Sequence, residues 1–223
     1  MRVLEIMPTD WLASLQAVGE KKPISRVRGQ PGRRVEDWSC PKVRFDQGRS
    51  GKDRPGDLSF SHAGDAFPLF REKVVDSLKA AANIQEQWLP VEVLDYDDTF
   101  RMFNCLDVIS AIDPDASELR YYKSTGGLSG VERYVFDPDA IADRWLFKDT
   151  LYTSALYCTD RFAQHVIQQR WQGFAFRPLW DSEHAPFLSW PSNDEVRDRP
   201  EIWGPDGISA GYGVDYSPEE DDE

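Results

Sequence analysis

Asp95, Asp97 and Asp98 lie within four residues of one another, and clustered carboxylates of this kind can hold a hard divalent cation through oxygen. A metal site or a sugar-nucleotide aspartate pair has this look, and would support hydrolysis or group transfer. The same spacing also suits a hairpin turn, where Asp side chains bond their own backbone. Asp113-Pro114-Asp115 and Asp137-Pro138-Asp139 read as helix stops and starts and not as a catalytic dyad. The three histidines, His62, His165 and His184, show no H-E-x-x-H or similar ligand spacing. His165 adjoins the inward stripe of a helix, which fits a packed residue. The glycine-rich loop at 126–130 contains Ser129 but lacks the G-x-S-x-G elbow and a P-loop lysine. Cys40, Cys105 and Cys158 are odd in number and widely spaced, against a disulfide framework or a cysteine zinc site. They read as buried free thiols. No catalytic, cofactor-binding or metal-binding residue is assigned.

The elements that must carry these residues follow from periodicity. Two stretches repeat one plan, an amphipathic helix running into a short apolar strand with Trp and Pro. In the first, Phe67, Phe70, Val74, Val75, Leu78, Ala81 and Ala82 share one helical face, and Trp88-Leu89-Pro90-Val91-Glu92-Val93 follows. In the second, Thr159 is placed as N-cap and Phe162, Val166 and Ile167 form the inward stripe. Gly173 is positioned to end that helix in the left-handed conformation, and Phe174-Ala175-Phe176-Arg177-Pro178-Leu179-Trp180 closes the unit. Pro90 withholds a backbone donor, so its strand lies at an edge or starts there.

Elsewhere, residues 1–7 alternate as a first strand. Asp10 caps a short helix through Val18, with Trp11, Leu12, Leu15 and Val18 at helical spacing. Residues 95–98 make a turn, and 100–106 form a strand antiparallel to the one before it. A short helix is expected over 105–112, strands over 118–123 and 132–136, a helical turn over 137–142 and a short strand over 145–147. The predicted fold class is α+β: a mixed, mainly antiparallel sheet with a few helices packed on it and long irregular loops. Residues 1–185 read as a single domain whose first 59 residues diverge. Residues 186–223 read as an irregular Pro/Gly-rich segment that Phe187, Trp190 and Trp203 pin to the core, and they end in an acidic tail.

Composition narrows the function classes. The 223 residues carry a net charge of −13, yet residues 21–54 hold eleven Lys and Arg against four acids, a balance of +7 that leaves −20 elsewhere. An acidic body disfavours nucleic acid and anionic membrane, and favours a basic partner whose encounter it steers at long range. The basic segment alone suggests an RNA-binding arm through Arg26, Arg28, Arg33 and Arg34, with Trp38 and Phe45 as its stacking surfaces. Apolar runs fall far short of the ~20 residues of a membrane span, and no secretory core follows Met1. A cytoplasmic location is expected.

The strand 88–93, the strand Phe100-Arg101-Met102-Phe103-Asn104-Cys105-Leu106, the turn Ala111-Ile112-Asp113, the stretch Leu156-Tyr157-Cys158-Thr159-Asp160 and the closing 173–179 together resemble the immunity-MXAN family of bacterial polymorphic-toxin immunity proteins. The resemblance covers about residues 60–180. It implies a non-enzymatic protein that binds and neutralises a cognate toxin domain, with no cofactor and no catalytic residues. Asp95, Asp97, Asp98, Asp113 and Asp115 then become candidates for pairing with toxin Arg and Lys, and Trp88 and Trp180 candidate anchors. The competing class is a metal-dependent hydrolase or transferase built on the cluster at 95–98. Toxin identity and oligomeric state are not legible.

Overall fold

A computed structural model describes residues 1–7, 14–19, 27, 30–46, 56–60, 67–82, 84–94 and 96–183. Asp10, Trp11, Arg26, Arg28, His62, Asp95, His184 and the segment 186–223 lie outside the described residues. In chain order the strands are β1 (Arg2–Met7), β2 (Ser14–Val18), β3 (Lys42–Asp46), β4 (Leu58–Phe60), β5 (Pro68–Arg71), β6 (Glu86–Pro90), β7 (Glu92–Val93), β8 (Phe100–Cys105), β9 (Val108–Ile109), β10 (Glu118–Tyr121), β11 (Leu128–Arg133), β12 (Leu146–Asp149), β13 (Tyr157–Thr159) and β14 (Ala175–Asp181). The helices are α1 (Glu72–Ala81), α2 (Pro138–Ile141) and α3 (Asp160–Gln168). The fold is α+β, and antiparallel pairing predominates.

A five-stranded sheet runs β14-β1-β13-β12-β9 and a four-stranded sheet β4-β5-β8-β6. Between them lies the main core, which receives Leu4, Ile6 and Phe176 from one sheet, Phe70 and Phe103 from the other, and the apolar stripes of both α1 and α3. Val74, Val75 and Leu78 of α1, and Phe162, Ala163 and Val166 of α3, are buried. The two long amphipathic patterns therefore serve one interior, as their 3.6-residue periodicity requires of a one-sided helix. Each outer sheet face has its own cover. Val3, Phe147, Tyr157, Leu179 and Trp180 leave the five-stranded sheet on its far side to meet Ile112, Tyr134, Phe136 and Ile141. Leu69, Leu89, Phe100 and Met102 leave the four-stranded sheet towards Val35 and Val43, beside the small sheet β2-β3-β7.

Both prolines of the repeated plan fall on edges. β6, ending at Pro90, is the outer strand of its sheet, and β14, containing Pro178, is the outer strand of the other. In β14 the register shifts, so that Val3 faces Trp180 while Leu4 faces Pro178. A bulge on an edge strand accommodates a residue that has no N–H to give.

Several expectations differ from the structure. The helix expected at 10–18 is strand β2 over 14–18, paired along its whole length with β3. The helix expected at 105–112 is instead an extended stretch, with Val108 and Ile109 pairing parallel to β12. In both, hydrogen bonds to distant strands outweigh a short local pattern, and in β9 the β-branched Val108 and Ile109 fit the pleat. The first long helix starts at Glu72; residues 68–71 before it are β5, whose Leu69 and Phe70 point to opposite cores. The second ends at Gln168, and Arg170 takes the positive φ of 52° beyond its cap, while Gly173 (φ 91°) turns the chain into β14. Thr159 is the N-cap by position, but its hydroxyl donates to the Arg144 carbonyl (2.7 Å) instead of capping the helix. Cys105 and Cys158 are buried, whereas Cys40 is exposed.

Candidate functional site

The acidic clusters occupy two places, and the structure uses them differently. In the turn before β8, Asp97 and Asp98 are exposed. Asp98 Oδ2 lies 3.1 Å from Arg71 Nη1. That guanidinium also packs over the rings of Tyr96 and Phe100, 5.8 and 5.6 Å from their centroids. Buried Asp57 stands on its other side, 3.6 Å from Arg71 Nε and 2.8 Å from Lys73 Nζ. Asp98 thus belongs to a charge network that fastens the turn to α1, and Asp97 faces solvent.

The two Asp-Pro-Asp motifs are brought side by side. Ile112 pairs with Phe136 in an antiparallel bridge, flanked by Asp113 N to Val135 O (2.9 Å) and Asp137 N to Ala111 O (2.7 Å). Asp113 Oδ1 accepts from the amides of Asp115 and Ala116 (2.9 and 3.0 Å), and Asp137 Oδ1 accepts from the Asp139 amide (2.9 Å). The first Asp of each motif closes its own turn, as short polar side chains do; Asp115 and Asp139 are exposed. A depression of ≈ 440 Å³ opens there, lined by Ala111, Ile112, Phe136 and Pro138 with Asp113 and Asp137. Its lining joins apolar residues to carboxylates, a combination suited to the stem and head of a basic side chain.

From this bridge the chain continues outward as the β10–β11 hairpin, joined at its root by the Ser117 hydroxyl, which accepts from the Val135 amide at 2.9 Å. The bridge is held from beneath by Asp149. That carboxylate is fully buried and accepts from the amides of Ala111 (2.7 Å), Ile112 (2.8 Å) and Leu151 (2.7 Å). Sequence reasoning passed over Asp149, although its bond to the amide two residues ahead is a local turn signal.

The candidate tryptophans are less accessible than the aspartates. Trp180 is buried in the outer core, its ring 6.1 Å from that of Phe136. Trp88 is half-buried, packs edge-on against Phe70 at 5.4 Å and donates to Glu86. Titratable groups also gather behind β1. Glu5 pairs with Arg177, and burial raises the Glu5 carboxyl above its usual value against the opposing pull of that guanidinium. Burial pushes the neighbouring Tyr134 hydroxyl up to about 12. The Tyr134 ring stacks on Phe136, and Tyr157 packs against both Phe136 and Phe147, which ties the sheet to its cover. His165 packs between Trp145, tilted at 60°, and Trp171, edge-on at 81°, and meets the Ser77 hydroxyl at 3.3 Å; burial lowers its pKa. Among the described residues, no three of His, Cys, Asp or Glu are placed to hold a metal ion, and no helix is long and apolar enough to cross a membrane.

The Asp-Pro-Asp bridge, the hairpin and most of the five-stranded sheet all lie within one continuous stretch of chain. Residues 95–181 match the immunity protein family Imm11. No match appears among curated proteins. The Imm11 span covers fewer than half of the 223 residues and contains four of the segments that carry the resemblance read from the sequence; the strand at 88–93 lies just before it. It supplies β9, β12, β13 and β14 of the five-stranded sheet, but β1 is inserted between β13 and β14. The similarity to Imm11 thus falls on a part of the chain whose sheet is completed by residues from the N-terminus.

Proposed function

We propose that this protein is an immunity protein, which binds a cognate bacterial toxin domain in the cytoplasm and neutralises it by direct contact, protecting the producing cell and its siblings. The observation that carries this reading is the Imm11 similarity over residues 95–181, which coincides with the bridge and the hairpin. The chemistry of the surface supports it. Among the described residues the buried carboxylates are committed to backbone amides, arginines or a lysine, while Asp97, Asp115 and Asp139 face outward on a chain of net charge −13. Such an arrangement accelerates encounter with a basic partner and makes no demand for bond-breaking at its own residues.

Asp97 and Asp115 offer the cleanest test, because both are exposed. In the variant Asp97→Lys/Asp115→Lys, association with the product of the adjacent reading frame is expected to slow by about tenfold at low ionic strength. The salt dependence should weaken in parallel. Stopped-flow association across a salt series reads both quantities, and unchanged rates with an unchanged salt slope would refute the electrostatic part of the proposal.

A further inference from the structure

We propose that the tip of the β10–β11 hairpin, through Tyr121 and Tyr122, is the anchor that seats on the basic surface of the toxin domain; this rests on the function proposed above and names its contact element. Among the described residues, the other exposed large hydrophobic side chains are Val18 and Leu94, at 40% and 37%. Tyr121 and Tyr122 are 54% and 57% exposed, the most exposed of the large hydrophobic residues among those described. They are consecutive, at the end of β10 and the start of the turn, so both sit at the outer end of the hairpin.

Among the described residues the hairpin is a two-stranded sheet, paired in order β10-β11 alone, and it is built to be stiff without these rings. The Tyr122 amide donates to Gly127 O and the Gly126 amide to Tyr122 O, both at 2.8 Å. Gly126 supplies the positive φ of 68° that this reversal needs. Arg120 lies across Gly130, where a Cβ would meet its guanidinium at 3.2 Å, and donates from Nε to Ser129 Oγ. Arg133 is paired with Glu118 at 2.9 Å. Leu119 and Val131 hold the base of the hairpin to the outer core. Two of its three cations, Arg120 and Arg133, are thereby drawn into the hairpin itself, and two tyrosines and Lys123 are exposed at a locked turn. Tyrosine presents a large amphipathic surface with little rotamer freedom to lose, and a preorganised turn lowers the entropy cost of docking.

Charge identifies the occupant. The hairpin rises from exposed Asp113 and Asp115, beside exposed Asp137 and Asp139; its two arginines are already engaged and Lys123 stands exposed next to the rings, so the acidic contact with a partner is made at the root and the aromatic contact at the tip. A basic surface with an aromatic-accepting hollow fits the root by charge and the tip by covering the two rings. A second copy of this acidic chain would bring like charges together.

The full-length chain, tagged and immobilised, is titrated with the product of the adjacent reading frame, alongside Tyr121→Ala/Tyr122→Ala and Tyr121→Phe/Tyr122→Phe. The alanine variant is expected to weaken Kd at least about thirtyfold, and the phenylalanine variant less than about threefold. The alanine variant should melt within about 2 °C of wild type, because neither ring supports the core. Wild-type binding that survives alanine substitution would overturn this inference and leave the proposed function standing. Absence of wild-type binding would bring down the function, and the inference with it. Loss of self-association by sedimentation, with toxin binding unchanged, would reassign the tip to a second copy and equally overturn the proposal.

Discussion

Replacing Asp149 by Ala is expected to destabilise the protein by about 4–6 kcal/mol, lowering Tm by roughly 10–20 °C for a chain of this length. Three amides point at this one carboxylate, those of Ala111, Ile112 and Leu151, and the side chain is wholly removed from water. Deleting the acceptor leaves buried N–H groups without partners, at about 1–3 kcal/mol each. Asp149→Asn retains one oxygen and should recover part of the loss. The damage has a location as well as a size. Ala111 and Ile112 form the inner side of the bridge to Phe136, from which the hairpin rises, so their amides should lose hydrogen-exchange protection before those of β1. A melting curve and exchange rates at these two residues check the prediction; a shift under about 3 °C would mean that the bridge does not depend on Asp149.

Arg177→Met is the second large effect, with an expected loss of about 3–5 kcal/mol near neutral pH. Arg177 and Glu5 face each other across β14 and β1, each side chain only 13% exposed. Removing the guanidinium strands a carboxylate in a poorly solvated place. The pH dependence follows from the sign of the Glu5 shift. Its folded-state pKa is raised by burial above the ordinary 4.5, and the loss of Arg177 removes the interaction that opposes the rise. The folded protein therefore holds this proton more tightly than the unfolded chain does. Stability is retained below the unfolded value and declines as pH climbs through the folded one. The variant should lie closest to wild type near pH 4.5 and fall away from it towards neutrality. Adding Glu5→Gln should restore most of the stability and abolish that divergence. Urea denaturation of the three proteins across this pH range reads both effects, and a pH-independent deficit would contradict the assignment.

These two residues also show where the fold was legible in the sequence and where it was not. The stripes of α1 and α3 could be read directly, because a one-sided helix needs a single core and leaves a 3.6-residue pattern. Pro90 marked an edge strand because a missing N–H excludes it from the middle of a sheet. β2 and β9 were not legible: their hydrogen bonds go to β3 and β12, and a short segment carries no record of a distant partner. The candidate site was legible in part. Asp97, Asp98, Asp113 and Asp115 were singled out by their spacing, but spacing could not separate Asp97 and Asp115, which face water, from Asp98 and Asp113, which are tied to Arg71 and to a turn. Trp180 drew attention by its type, and lies covered because the Ile112–Phe136 bridge closes over that face of β14. Tyr121 and Tyr122 read only as part of a strand; their exposure depends on the hairpin standing alone, which no local pattern encodes.

Stoichiometry tests the central claim most directly. The product of the adjacent reading frame, which is expected to arrest growth when expressed alone, is co-expressed with graded amounts of this chain, and the complex is recovered and weighed at each step. Binding without turnover predicts that growth returns only as the two proteins approach a fixed saturating ratio, with the toxin recovered chemically unchanged in the complex. Rescue by far smaller amounts, with a covalently altered toxin and no complex, would contradict it.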